Sequence, residues 1–285
     1  MTELRGKAVA DHITAIASDD IAKLKGIGIN PKLAVIRVGA KPDDLAYERG
    51  ILKRFEAAGC KCEVFELSAT CSQKELDECF DARNKDDMIH GILVFRPLPK
   101  HLNDEHIRST INPRKDIDAM GPYNQAELFA GKKEAYAPCT AQAVMEILKF
   151  YNIDLTGKRV TVVGRSMVIG KPVSIMLTSA NATVTICHTK TADLSSELKR
   201  ADIIVAAAGR PRMITAGDVR PGQIIIDVGM SADQNGKLCG DVDYENVAPI
   251  VDSITPVPGG VGAVTTSVLL SYTVASAKKK AYGKV

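Results

Sequence analysis

Between residues 159 and 228 four short apolar runs, RVTVVG, ATVTIC, ADIIVAAAG and QIIIDVG, alternate with segments of helical periodicity. Continuous Val- and Ile-rich runs of this length are the pattern of strands buried on both faces. Strands of that kind separated by helices fold as a largely parallel sheet with right-handed crossovers. The first half of the chain repeats the pattern: LAVIRVG at 33–39, a helix over roughly 43–58, the strand CKCEVFEL, a helix from about 72 to 84, and GILVF at 91–95. The expected fold class is therefore α/β, with two α/β units and ligands at the carboxyl ends of the strands, near Gly39, Leu67 and Phe95 in the first.

Other segments fill in the organisation. Val9, Ile13, Ile16, Ile21 and Leu24 recur at helical spacing up to Gly26-Ile27-Gly28. The Pro-rich, charged stretch from Arg96 to Asn124 separates the two units, and a helix around 141–152 is expected to cross between them. The last helical run, VTTSVLLSYTVASAKK, can pack back on either unit.

Composition excludes several classes. With 37 Lys plus Arg against 34 Asp plus Glu, the net charge of +3 gives no electrostatic case for nucleic acid as a partner. A hydrophobic fraction of 45% with 25% charged residues excludes disorder as the main state. The first 25 residues lack the apolar core of a signal peptide, and no run approaches the length of a membrane span, so the cytoplasm is the expected compartment. Seven cysteines, at 60, 62, 71, 79, 139, 187 and 239, show no repeated close pairing of the kind that holds structural zinc. Cys60-Lys61-Cys62, alternating with Val64 and Leu67, reads as a buried strand face, and the lysines of AKKKAYGKV read as a frayed, solvated tail.

The first strand of the second unit ends in VVGRSMVIGKP. This is not the plain G-x-G-x-x-G fingerprint, but its physical logic is the same. Gly164 permits a tight turn, Gly170 a close approach of helix and backbone, and the following helix offers free N–H groups to a phosphate. Pro172 suits a first helical turn. An NAD site usually ends its second strand with an acid for the ribose hydroxyls; here the strand ends Cys187-His188-Thr189-Lys190. Arg165, Ser166, Thr189 and Lys190 supply cations and hydroxyls suited to a 2′-phosphate, which favours NADP over NAD. His188 is a loop or capping histidine with at most a neighbouring role.

In the first unit Tyr47 shares a helix face with Ile51 and Arg54, while Lys53 points elsewhere; alone, Tyr47 reads as a packing residue. Asp116 and Asp118 read as a turn or solvated acidic loop, unless a polar ligand group meets Asp118 at the interdomain crossover. Cys139 stands at a helix start with no histidine near in sequence. The segment ITPVPGGVGAVTT is either a connector or a tight backbone wall over a ligand.

Taken together, YERGILKRFEAAG, GILVFRPLPKH, KDIDAMGPYN, PCTAQAV, VVGRSMVIGKP, ATVTICHTKT, GDV and ITPVPGGVGAVT resemble the methylenetetrahydrofolate dehydrogenase/cyclohydrolase family over essentially the whole chain. The resemblance implies a cleft between a folate-binding domain, residues 1–140 completed by 262–285, and an NADP-binding Rossmann domain, residues 141–261. It also implies a homodimer formed through the nucleotide domains. Tyr47 falls on the tyrosine that packs against the aminobenzoyl ring of folate, and Asp118 on the second Asp of K-D-x-D, which hydrogen-bonds the pterin. Pro258, Gly259 and Gly260 match the loop beside substrate and nicotinamide, and Arg165, Ser166 and Thr189 match positions lining the NADP phosphates.

The likeness breaks at two places that matter for chemistry. The family's catalytic lysine, four residues after the tyrosine, is Ile51 here, and the glutamine of its V-Q-L-P-L-P segment is Phe95, followed by Arg96. Ala141 and Ala143 replace the Pro and Gly of P-C-T-P-x-G, and Ala263-Val264 replaces a P-M pair. Hydride transfer needs alignment of two carbons and no protein base. Hydrolysis of the methenyl product needs water addition and proton movement, for which lysine is the handle, and losing such assistance costs about 10²- to 10⁴-fold in rate. The expectation is a dehydrogenase with little or no cyclohydrolase activity. Arg96 or Arg54 as a rearranged cation, a different pterin substrate stacked on Phe95, and a catalytically silent binding protein are the alternatives.

Overall fold

In the computed structural model, which describes residues 1–132, 134–233 and 236–283, the elements alternate largely as expected. In chain order they begin β1 (Thr2–Glu3), α1 (Gly6–Gly26), β2 (Lys32–Val38), α2 (Pro42–Ala57), β3 (Lys61–Leu67), α3 (Gln73–Lys85), β4 (Gly91–Val94), α4 (Glu105–Thr110) and α5 (Pro122–Phe129). They continue with α6 (Cys139–Phe150), β5 (Arg159–Val163), α7 (Gly170–Ser179), β6 (Thr183–Cys187), α8 (Leu194–Arg200), β7 (Ile203–Ala206) and β8 (Ile224–Asp227). The last elements are β9 (Ser231–Ala232), β10 (Leu238–Cys239), α9 (Tyr244–Val247), β11 (Ser253–Ile254) and α10 (Gly262–Tyr282).

The chain packs as two compact units, one of residues 12–127, 134–137 and 266–285, the other of residues 1–11, 128–133 and 138–265. The first contains a parallel sheet of order β3-β2-β4. Its central strand β2 is buried along almost its whole length, which is why LAVIRV reads as continuous. Strand β3 differs from the sequence expectation: at one edge of the sheet, Lys61, Glu63 and Glu66 are exposed and Cys62, Val64 and Leu67 are only half-buried, whereas the other edge strand, β4, is buried throughout. One face of this sheet packs on Leu76, Phe80, Ile107 and Ile111 of α3, α4 and the turn after them. Ile16, expected on the buried stripe of α1, is 54% exposed.

Helix α10 closes the same unit. Ser276 donates to the Arg114 carbonyl at 2.7 Å, and Gly91 has no room for a Cβ against Ile117 and Thr273. The terminal lysines are not a frayed tail. Helix α10 runs to Tyr282, Lys278 pairs with Asp20 at 2.8 Å, Lys279 donates to the Glu134 carbonyl at 2.9 Å, and Lys280 donates to the Asp87 carbonyl. Lys284 and Val285 of that segment lie outside the described residues.

The other unit is built on a six-stranded parallel sheet of order β1-β11-β8-β7-β5-β6. Its core gathers Val163, Ile204, Ile225, Val247 and Ile254 from successive strands and helix α9. The first strand of the chain joins this sheet, pairing Thr2 with Ser253 and Glu3 with Ile254. Two-residue strands such as β1, β9, β10 and β11 carry no periodicity, so sequence pattern could not show them.

Candidate functional site

Each of the two parallel sheets has a topological switch point, where successive crossovers leave a strand in opposite directions. In the six-stranded sheet β6 and β7 lie on either side of β5. In a doubly wound sheet the crevice at such a carboxyl edge is where ligands bind. Gly164 stands there at φ +131°, and a Cβ on it would run into the Ala207 carbonyl beyond β7. A Cβ on Gly170 would meet the Gly164 carbonyl. The turn between them is held by Ile169 N–H donating to Ser166 Oγ at 3.1 Å and Lys171 N–H donating to the Ser166 carbonyl at 3.0 Å. Helix α7 then begins at the crevice with Pro172 in its first turn. Arg165 and Ser166 are exposed at its mouth.

The loop after β6 borders the same crevice, because β6 is hydrogen-bonded to β5 in register up to Cys187 opposite Val163. It is a built turn: His188 N–H donates to Thr191 Oγ1 at 2.9 Å, and Lys190 N–H donates to His188 Nδ1 at 3.1 Å. His188 therefore shapes the turn, and Thr189 and Lys190 are exposed on it. No acid stands at this strand end. These cradles fit a dinucleotide phosphate chain, since both glycines sit where only a bare backbone can pass.

Two buried aspartates missed by sequence reasoning frame the carboxyl ends of β7 and β8. Asp241 accepts from the N–H groups of Ala208, Gly209 and Arg210 at 2.6, 3.0 and 2.7 Å. Asp227 accepts from Gly229, Asp241 and Val242 N–H at 2.9, 3.1 and 2.9 Å. Burial pushes the Asp227 carboxyl up to about 7 against those bonds. The GDV segment is thus a joint: Gly240 lies against the Asp227 carboxylate with no space for a side chain. Pro258, Gly259 and Gly260 follow β11 in this unit. Gly259 has φ +105° and its carbonyl accepts Gly6 N–H at 2.8 Å, while Gly260 is buried against Pro256 and Thr255.

In the three-stranded sheet the switch point lies between β2 and β4, which pair in register from Leu33 and Gly91 to Ile36 and Val94. Phe95 follows β4, its N–H donating to the Ile36 carbonyl at 2.9 Å. Tyr47, one turn into α2, meets Phe95 with ring centroids 5.6 Å apart and planes tilted by 34°. Ile51, one turn on, is fully buried, as is Phe55, whereas Lys53 is exposed. The structure thus brings together Tyr47 and Phe95 and sinks Ile51 into the core.

Asp118 is half-buried, but Asp116 is not the solvated residue its motif suggests. It is 1% exposed and accepts from Met120 N–H at 2.8 Å, Gly121 N–H at 3.0 Å and Asn124 Nδ2 at 3.1 Å. Burial raises its pKa against those bonds. Lys115, also buried, donates to the carbonyls of Arg83, Asn84 and Asp86 at 3.3, 2.7 and 2.7 Å, closing the carboxyl end of α3. The first two residues of KDID are scaffold that fixes the segment carrying Asp118.

Neither alternative cation stands uncommitted. Arg96 pairs with Asp104 at 3.6 Å, and Arg54 Nη1 donates to Thr14 Oγ1 of α1 at 3.1 Å. Arg37 is the buried arginine of this neighbourhood, 3% exposed near the end of β2. Its signal in the sequence is plain in retrospect: a charged residue inside an otherwise apolar central strand requires buried partners. Cys139 is buried at the first position of α6. Cys60 and Cys62 are pushed up to about 12 by burial, so both remain thiols. Among the described residues no group of three His, Cys, Asp or Glu side chains is placed to hold a metal, and no helix is long and apolar enough to cross a membrane.

Two α/β domains, one with a glycine turn entering a helix at the switch point of a doubly wound sheet, define a two-domain protein of the dinucleotide-binding class. The catalytic domain described as "Tetrahydrofolate dehydrogenase/cyclohydrolase, catalytic domain" matches residues 4–118, and that family's NAD(P)-binding domain matches residues 138–281. The chain belongs to the tetrahydrofolate dehydrogenase/cyclohydrolase family. It is 50% identical over 275 residues to the bifunctional protein FolD of Clostridioides difficile strain 630, covering 96% of each chain. The crystal structure of bifunctional FolD from Campylobacter jejuni is similar at 41% identity and TM-score 0.95, covering 98% of this chain and 99% of that one. The Trypanosoma brucei FolD, solved with NADP cofactor and inhibitor, is similar at 35% identity and TM-score 0.94 over 99% of both chains.

Proposed function

We propose that this protein oxidises 5,10-methylenetetrahydrofolate to 5,10-methenyltetrahydrofolate with NADP, and that its cyclohydrolase activity is lost or very weak. The observation that carries the second half is the pair Ile51, fully buried, and Phe95, 7% exposed against Tyr47. Neither side chain can donate, accept or relay a proton where hydrolysis would need one.

In this reading the folate side, expected over residues 1–140 with 262–285, is the unit of residues 12–127, 134–137 and 266–285, and the NADP side, expected over 141–261, is the unit that also takes in residues 1–11 through β1. Tyr47 packs against the aminobenzoyl ring, Asp118 hydrogen-bonds the pterin, and Pro258, Gly259 and Gly260 wall the reacting carbon. Gly164 and Gly170 leave room for the pyrophosphate, and Arg165, Ser166, Thr189 and Lys190 hold the 2′-phosphate, with His188 shaping their turn. A bound dinucleotide would supply the hydride acceptor for the methylene carbon. The protein's own contribution is alignment of substrate and exclusion of water, since the folate nitrogens stabilise the cation that forms. The same reading places the protein in the cytoplasm as a homodimer formed through its nucleotide domain, with neither nucleic acid nor membrane as partner.

A bifunctional enzyme with a rearranged site is the second reading, favoured by the name of the Clostridioides difficile relative at 50% identity. A paired assay on the purified protein separates the readings. Reduced-cofactor absorbance should rise with methylenetetrahydrofolate, faster with NADP than with NAD, while methenyltetrahydrofolate should decay no faster than in buffer. Rapid formation of 10-formyltetrahydrofolate would sink the monofunctional reading, and no cofactor reduction would leave a silent binding protein.

A further inference from the structure

We propose that Arg37, clamped between Glu48 and Glu66, is a positioning residue for folate: it anchors the first half of α2 and so sets Tyr47 against Phe95. The inference rests on the folate reading of the Tyr47 site. Arg37 Nε donates to Glu48 Oε2 at 2.6 Å, Nη2 donates to Glu66 Oε2 at 3.0 Å, and Nη1 donates to the Gly39 carbonyl. All three guanidinium nitrogens are therefore engaged, and they join the end of β2, the start of α2 and the edge strand β3.

The two carboxylate arms are unequal. The Arg37 and Glu48 side chains are 4% and 13% exposed, whereas Glu66 is 63% exposed. Water weakens the Glu66 arm, and the Glu48 arm is the one whose loss leaves an uncompensated buried charge. Glu48 is the residue next to Tyr47, so fixing its carboxylate fixes the backbone from which the ring projects. Helix α2 needs such an anchor. Its N-cap, Lys41, makes no side-chain cap, and Ile51, on the turn beyond, holds the core by apolar contact alone. Burial opposes the charge on Arg37, but the bonds to Glu48 and Glu66 prevail and hold its pKa above the ordinary value. An arginine so held carries no proton in catalysis; its function is geometric.

Arg37→Met, Arg37→Lys, Glu48→Gln and the double variant Arg37→Met/Glu48→Gln test this. Measurements are KM for methylenetetrahydrofolate and for NADP, kcat, tetrahydrofolate affinity by calorimetry, and thermal unfolding. Arg37→Met should raise the folate KM about 10-fold with kcat and the NADP KM within about 2-fold, the pattern of lost ground-state positioning. Arg37→Lys should fall between wild type and Arg37→Met. The double variant removes the uncompensated charge, so it should regain thermal stability without regaining folate KM; a purely structural role would return both together. Should Arg37→Met not fold, Arg37→Lys and Glu48→Gln carry the same comparison. Wild-type folate KM in the folded variants, or equal losses for folate and NADP, would overturn the proposal. If the wild type binds tetrahydrofolate without turnover, the dehydrogenase reading fails and the calorimetric affinities judge Arg37 alone; if it does not bind it, both fail.

Discussion

At the scale of single residues, the proposed loss of hydrolysis turns on what Ile51 and Phe95 cannot do. Both are apolar and buried, and Phe95 lies against the Tyr47 ring at a tilt. The double variant Ile51→Lys/Phe95→Gln should therefore gain methenyltetrahydrofolate hydrolysis, by about 10-fold or more over wild type, measured by loss of methenyl absorbance. It should also lose stability, since position 51 is fully enclosed and an ammonium there costs several kcal/mol unless it shifts toward neutrality. The resemblance singled out Tyr47, Ile51 and Phe95, and the structure adds that Tyr47 meets Phe95 and that Ile51 is fully buried. The buried roles of Asp227 and Asp241 were not legible, because a residue's burial depends on which loops fold over it, whereas Arg37 carried one signal, a charge inside an apolar run.

At the scale of elements, KDID shows how a short motif divides its work. Lys115 closes α3, Asp116 ties the turn into α5, and together they fix the segment that carries the half-buried Asp118. Asp116→Ala would strand the Met120 and Gly121 N–H groups in a buried turn, so it should cost about 2–4 kcal/mol in denaturant unfolding. It should also weaken folate binding, whereas NADP affinity stays unchanged. The strands and helices of both units were readable because strands buried on two faces and amphipathic helices have distinct periods. What escaped the sequence was how far β3 is covered: its charges at 61, 63 and 66 suggest one exposed and one buried face, and the fold leaves the apolar face only half-buried. The lysines of α10 escaped for a related reason, since their partners Asp20, Glu134 and Asp87 are remote in sequence.

At the scale of the whole molecule, stability should fall on the acid side of neutrality through His90. This histidine is 5% exposed, its Nδ1 accepts Lys32 N–H at 3.3 Å, and burial, with Lys280, Lys115 and Lys32 around it, lowers its pKa to about 4. The unfolded chain takes up the proton near the ordinary value of about 6.5. Between those limits the unfolded state binds more protons than the native one, so the contribution is whole above about pH 6.5 and lost as pH falls toward 4. His90→Gln should flatten that limb of the unfolding midpoint plotted against pH; an unchanged slope would remove His90 as its source. The two switch points have a consequence for the editing of specificity. The crevice beside Gly164 and the one beside Phe95 belong to different sheets, so in the proposed function the choice of dinucleotide and the grip on folate fall to separate sets of residues. Lys190→Asp, which puts an acid on the turn after β6, should move cofactor preference from NADP toward NAD in steady-state kinetics while leaving the folate KM where it was.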